Sequence, residues 1–131
     1  MQRPLIQTSI VCAVLAISAA TYAGISNQLP VEIFTDSNGS QGARGSLLGT
    51  RNSSDNVAFI GCNTNAFDDG TSEVFCQARD ANGTFLFCAA EAPSMIQIAA
   101  AINPASYVRF TVSDDHFTCS ELVVSHGSFN L

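Results

Sequence analysis

The cysteines constrain this fold more than any other feature of the sequence. Beyond an apolar N-terminus the chain has four of them, without a C-x-x-C pair: Cys62, Cys76, Cys88 and Cys119. In an exported chain, an even set of widely spaced cysteines predicts two disulfides rather than a zinc site or a redox motif. Each disulfide contributes about 2–4 kcal/mol, a large share of the roughly 5–15 kcal/mol by which a domain is typically stable.

Export itself is predicted from the N-terminus. Arg3 gives a positively charged start, Leu5 to Ala20 is an apolar run that contains the fifth cysteine, and small residues follow. This pattern is typical of a secretory signal peptide. An uncleaved anchor is disfavoured because the run is short and partly polar, whereas a membrane span needs about 20 predominantly apolar residues. We therefore predict that residues 1–23 are a signal peptide, cleaved near Ala23, and that the mature protein is secreted or periplasmic.

The charge of the mature chain excludes two classes of partner. Its acidic residues outnumber its basic ones, it has no lysine, and its arginines are Arg44, Arg51, Arg79 and Arg109. Nucleic acids and anionic membranes are bound by basic patches, which a few scattered arginines on an acidic chain cannot form. We therefore expect no nucleic acid and no anionic membrane surface as partner. An unknown protein, a glycan or a second copy of the chain remains to be considered.

The mature chain is long enough for one domain of common size. Residues 24–56 are rich in Gly, Ser, Asn and Gln. We predict a flexible or extended N-terminal arm over 24–45 and a disulfide-stapled β domain over 46–131. Within the arm, Leu29 to Phe34 alternates like a strand, and turn-forming residues predict a loop from Ser37 to Ser46. Because an extended arm can add a strand to a neighbour's sheet, self-assembly is one hypothesis.

The remaining pattern predicts a mainly β fold. Five segments rich in β-branched and aromatic residues are bounded by Asn, Asp, Gly or Ser: 57–62, 73–79, 84–90, 107–113 and 118–125. One segment instead has apolar residues at helical spacing after Pro93 and ends before Pro104. We predict a small antiparallel sheet or β-sandwich with one short covering helix over about 93–103 and two disulfides.

The segment CQARDANGTFLFC, Cys76 to Cys88, bears on which cysteines can pair. A two-residue loop of Asn82 and Gly83 places the two cysteines on opposite faces of the hairpin. A three-residue loop, with Gly83 left-handed and Asp80 facing Thr84, places them side by side. In that register they occupy a hydrogen-bonded pair, whose side chains are farther apart than a relaxed disulfide needs.

Both registers therefore disfavour a bond between Cys76 and Cys88. We predict the pairing Cys62–Cys76, across one loop, and Cys88–Cys119, which fastens the last strand. The pairing Cys62–Cys88 with Cys76–Cys119 stays open, because four cysteines allow three connectivities.

Few residues suggest catalysis or metal binding. His116, next to two aspartates, is the best candidate for a small hydrolase, but no G-x-S-x-G motif accompanies it and the chain has no lysine. We predict no catalytic site and no cofactor. Calcium is the one metal to weigh, because acidic turns offer oxygen ligands. Its weak candidates, none in EF-hand spacing, are Asp68, Asp69, Glu73, Asp114 and Asp115.

Three functions are compatible with these features. A non-enzymatic secreted β module, either a binding or a surface-structural protein, fits the disulfides and the missing catalytic motifs best. A secreted inhibitor of proteases or other enzymes, which would present the loop 63–72, is the alternative. A small secreted hydrolase using His116 is the second alternative.

Overall fold

The computed structural model describes residues 28–127, so the predicted signal peptide lies outside the described residues. Those residues form seven strands and two short helices. In chain order they are β1 Glu32–Thr35, β2 Gln41–Ser46, α1 Leu47–Arg51, β3 Phe59–Ala66, β4 Ser72–Arg79, β5 Phe85–Ala90, α2 Pro93–Ala100, β6 Ser106–Val112 and β7 Cys119–His126. Neither described helix has the length and apolar character that a bilayer crossing requires.

The strands form two antiparallel sheets. One has four strands in the order β1-β2-β6-β7, and the other has three in the order β3-β4-β5. The sheets are joined beside β5, where the Ala89 N–H donates to the Phe117 carbonyl oxygen at 2.8 Å and Ala89 bridges to Thr118. The predicted mainly β fold with two disulfides is confirmed.

The core is one hydrophobic cluster to which both sheets contribute. Alternate residues of β4 and β6 are fully buried, as period-two strands with one inward face require; they are Val74, Cys76, Ala78, Val108 and Phe110. The predicted helix is present as α2, which buries Ala99 and packs Met95, Ile96 and the following Ile102 against this cluster. It ends at Ala100, slightly earlier than predicted.

The predicted loop from Ser37 to Ser46 was wrong in its second half, because Gln41–Ser46 is strand β2, paired on both sides. Its glycines are there for close packing rather than for turns. A Cβ atom on Gly42 would lie 2.5 Å from the Phe34 ring and 2.9 Å from the Phe110 carbonyl oxygen. Only a glycine lets those two groups approach the strand so closely.

Much of the predicted N-terminal arm lies in the four-stranded sheet. β1 pairs with β2, the Ser46 N–H donates to the Leu29 carbonyl oxygen at 3.0 Å, and Val31 is buried. The boundary drawn between residues 45 and 46 therefore falls inside β2. Helix α1 was not predicted; it begins directly after Ser46, whose hydroxyl accepts a hydrogen bond from the Gly49 N–H.

Both disulfides are formed as predicted. Cys62 bonds to Cys76 with a Cα–Cα distance of 4.0 Å, and Cys88 bonds to Cys119 with a distance of 4.9 Å. The open alternative pairing is excluded.

The hairpin between β4 and β5 explains this choice. The Asp80 N–H donates to the Thr84 carbonyl oxygen, and Gly83 has a φ of 87°, so the predicted three-residue loop is present. Cys76 therefore faces Cys88 in β5 and Cys62 in β3. In an antiparallel sheet, a central residue that is hydrogen-bonded to one neighbour forms the closer, non-hydrogen-bonded pair with the other. The closer partner is Cys62.

Candidate functional site

The outward side of the three-stranded sheet carries most of the exposed aromatic surface. Because Val74, Cys76 and Ala78 point into the core, the alternate residues of these strands point outward. We call this surface the aromatic face and define it by the outward side chains of β3, β4 and β5, with Phe117 from the turn before β7. Its phenylalanines are Phe59, Phe75, Phe85, Phe87 and Phe117.

The five rings form a continuous chain. Phe85 lies 6.1 Å from Phe59 and 5.9 Å from Phe87, measured between ring centroids. Phe87 in turn contacts Phe75 at 5.5 Å and Phe117 at 5.9 Å, the last with its plane nearly perpendicular. Such tilted and edge-to-face contacts stabilise aromatic pairs beyond simple burial. The rings therefore support one another and form one continuous apolar surface.

The register of the strands determines which outward residues lie side by side on the aromatic face. One row across the sheet is Phe59, Arg79 and Phe85. The Arg79 guanidinium carbon lies 5.5 Å from the Phe59 ring centre and 5.6 Å from that of Phe85. This is within the range of a cation–π interaction. Among the described residues, the two salt bridges do not involve Arg79, so its charge is available to a partner.

On the outward side of the four-stranded sheet, the arginines are paired with acidic residues. There the Phe34 ring lies between two arginines, with Arg44 at 5.3 Å and Arg109 at 5.4 Å. Arg44 is paired with Glu32 at 2.8 Å and Arg109 with Glu121 at 3.4 Å. The charges of that side are therefore matched within the chain.

Solvent reaches the aromatic face directly. Phe85 is 42% exposed and Phe117 55% exposed, and the other three rings are half-buried. Contiguous apolar surface of this kind on a folded protein marks an interaction site more often than scattered exposed residues do. The cysteines in the sequence predict which residues of this hairpin point inward. The aromatic face was not predicted, although Phe85 and Phe87 alternate with Leu86 and Cys88 and therefore point outward.

The acidic residues considered as calcium ligands do not form a common site in the described part of the chain. Asp69 accepts hydrogen bonds from the N–H and hydroxyl of Thr71, and Glu73 accepts one from the Asn65 side chain at 3.1 Å. Asp68 is exposed in the β3–β4 turn, and Asp114 is exposed in the β6–β7 turn. Within residues 28–127, no three His, Cys, Asp or Glu side chains come together as a metal site.

Asp115 fixes the turn that carries Phe117. Its carboxylate accepts hydrogen bonds from the Thr118 hydroxyl, the Thr118 N–H and the Phe117 N–H. These hydrogen bonds lower the pKa of Asp115 to about 2, and the bond from the Thr118 hydroxyl has the largest effect. Hydrogen bonds from Ala58 lower the pKa of Asp55, and those from Thr71 lower the pKa of Asp69.

Acid is therefore expected to weaken the fold through these turns. A carboxyl whose pKa is lower when folded stabilises the protein above its unfolded pKa of about 3.8, and this contribution is lost as the pH falls towards about 2. We predict that the stability difference between wild type and Asp115→Asn is largest above pH of about 5 and shrinks between about pH 4 and 2. Urea denaturation at each pH measures it, with Asp114→Asn as the control for the lost charge. A difference independent of pH would contradict this role.

The structure places the two histidines in different surroundings, and His116 directly follows Asp114 and Asp115 in the chain. His116 occupies the turn between β6 and β7 with a φ of 60°. His126 lies elsewhere, with Nδ1 3.1 Å from the Ser106 hydroxyl and 3.1 Å from the Asn103 side-chain nitrogen. The serine and histidine are close enough for proton transfer, but Ser106 is completely buried. Its oxygen is therefore closed to a substrate, and the network fastens β6 to β7.

Half of the loop predicted as 63–72 is strand. β3 continues to Ala66 and β4 begins at Ser72, so the connection is a tight turn. The Phe67 N–H donates to the Thr71 carbonyl oxygen and the Gly70 N–H to that of Phe67. The structure therefore offers a short hairpin end at this place rather than an extended loop anchored by Cys62 and Cys76.

An open groove of about 370 Å³ lies beside α1. Its lining is mainly apolar and comprises Leu47, Leu48, Arg51, Ile102, Asn103 and Pro104. It lacks the chain of contacting aromatic rings, although Arg51, like Arg79, lies outside both described salt bridges. The aromatic face is therefore the stronger candidate site.

Comparisons with known proteins add no relationship: no family model matches the chain, and neither a curated protein nor a solved structure gives a significant match.

Proposed function

We propose that this protein is a secreted, non-enzymatic binding module that recognises another protein through its aromatic face. The observation that carries the proposal is the chain of five phenylalanine rings on the outward side of β3, β4 and β5, with Arg79 between two of them. The two disulfides support it, because cross-linked strands hold these rings in a fixed arrangement before binding.

The chemistry of the face favours a protein over a glycan. Phenylalanine rings form no strong hydrogen bonds, so sugar hydroxyls buried against them would lose hydrogen bonds to water without replacement. Apolar side chains of a protein lose nothing comparable and gain from burial. Arg79 adds a preference for a carboxylate in the partner. The expected ligand is therefore an apolar protein surface that contains an acidic residue.

Peptide selection on the purified protein tests the proposal. We expect peptides enriched from a random library to combine apolar and acidic residues. We expect them to bind Phe85→Thr/Phe87→Thr at least about tenfold more weakly than wild type, since central aromatic residues carry most interface energy. Threonine keeps the preference for strand at both positions.

Ile98→Thr is the control, because Ile98 is 39% exposed and lies on α2, which packs against the core rather than on the aromatic face. It should bind the peptides as wild type does. Equal binding to the double variant, or binding of a glycan array with no enriched peptide, would overturn the proposed protein partner.

A further inference from the structure

The outward residues of β4 have complementary charges at their two ends. In order along the strand they are Glu73, Phe75, Gln77 and Arg79. The acidic and the basic residue lie at equal distances from Cys76, one on each side. Consider a two-fold axis that lies in an interface with a second copy, passes over Cys76 and runs perpendicular to β4. Such an axis brings each Glu73 opposite the Arg79 of the second copy.

We infer that the aromatic face binds a second copy of this chain, face to face and with the strands antiparallel; this inference rests on the proposed function. Two sheets packed in this way lie about 10 Å apart, with strands aligned within about 30°. Every contact then occurs twice, so a single type of ion pair is formed at both ends of β4.

The same axis matches large residues with small ones. Gly61 faces Gln77 within the sheet and has open space around the position of a Cβ atom. The two-fold axis places Asn63 of one copy over Gly61 of the other. It also places Phe87 of one copy over Ala89 of the other, because these residues lie one position to either side of Cys88. Alternating large and small residues are what close packing of two layers requires.

The charges support a second copy as the occupant. Arg79 is exposed and lies outside both described salt bridges. Glu73 has one described side-chain contact, the hydrogen bond from Asn65, and keeps acceptor capacity because a carboxylate accepts several hydrogen bonds. In the free protein these two charges are at opposite ends of the strand, and in the pair each meets its opposite.

The face is small for a protein–protein interface. Three strands of up to eight residues cover a footprint of about 14 Å by 26 Å, below the roughly 800 Å² per partner of a standard interface. A weak, reversible dimer is therefore expected rather than a permanent one, because interfaces below the standard size are typical of transient complexes.

Sedimentation equilibrium from about 1 µM to 1 mM measures this association directly. Glu73→Arg and Arg79→Glu should each weaken the dimer at least about tenfold, because each places like charges together twice. The double variant Glu73→Arg/Arg79→Glu should recover affinity to within about threefold of wild type, because both pairs are re-formed with their signs exchanged. Arg51→Glu, an exposed charge reversal on α1, should dimerise as wild type does.

Single charge reversals without effect, or a double variant that stays as weak as the single ones, would overturn this arrangement. A wild-type protein that is monomeric at about 1 mM while peptides bind the aromatic face would overturn self-association and leave the proposed function standing. If neither peptides nor a second copy bind the face, both proposals are overturned.

Discussion

Replacing Phe110 by alanine is expected to lower the free energy of unfolding by about 3–5 kcal/mol, which is the usual cost of deleting a fully buried aromatic ring. Phe110 is the largest fully buried side chain described. It lies in β6 between Ala43 of β2 and Leu122 of β7, at the centre of the four-stranded sheet. The loss combines the transfer of the ring to water with the cavity that remains.

Urea denaturation followed by circular dichroism measures this loss. Phe67→Ala is the matched control, because it removes an exposed ring of the same size and should change the stability by less than about 0.5 kcal/mol. Similar losses for both variants would contradict the assignment of Phe110 to the core. If Phe110→Ala does not fold, Phe110→Leu should fold with a smaller loss.

Removing the Cys88–Cys119 disulfide has the second large expected effect. By the chain-entropy model, Cys88→Ala/Cys119→Ala lowers the free energy of unfolding by about 3.7 kcal/mol, and Cys62→Ala/Cys76→Ala by about 3.0 kcal/mol. The difference arises because the first bond closes 31 residues of chain and the second only 14. The first bond also joins the two sheets, whereas the second joins neighbouring strands of one sheet.

Thermal and urea denaturation of the two double variants measure these losses. Non-reducing peptide mapping of each variant shows that the remaining disulfide is unchanged. The larger loss should belong to the variant without Cys88–Cys119. A larger loss on removal of Cys62–Cys76 would contradict the chain-entropy explanation. A bond between Cys76 and Cys88 in wild type would contradict the described connectivity.

The disulfides and the hairpin could be predicted because their causes are local. Asp80 and Gly83 determine the type of turn, and the turn determines which residues face each other across β4 and β5. In that register the spacing of Cys76 and Cys88 disfavours a bond between them, and the predicted pairing is confirmed. Helix α2 was also predictable, since Pro93 and four apolar residues at helical spacing lie within one short segment.

Strand β2 could not be predicted because its cause is distant in sequence. Gly42 is selected by the ring of Phe34 and the carbonyl of Phe110, which reach it from two other strands. Seen alone, a segment with glycine, serine and glutamine is typical of a loop. Its pairing with β6 depends on contacts that the sequence pattern of the segment does not contain.

The aromatic face was only partly accessible from the sequence. Alternation around the cysteines indicates that Phe75 and Phe87 lie on the side opposite to the core. The close contact of Phe117 with Phe87 depends on the path of the turn after β6, which Asp115 fixes through its hydrogen bonds. Large apolar residues are usually expected inside, so five rings on one outward surface become apparent only from the fold.

The central claim is that this protein binds a protein partner through the aromatic face. Its most direct test is a titration of the isotope-labelled protein with an enriched peptide, followed by amide chemical shifts in NMR spectra. We expect the shift changes to concentrate on β3, β4, β5 and Phe117, with the largest at Arg79 and Phe87. Changes that concentrate instead on the groove beside α1, or on the outward side of the four-stranded sheet, would contradict it.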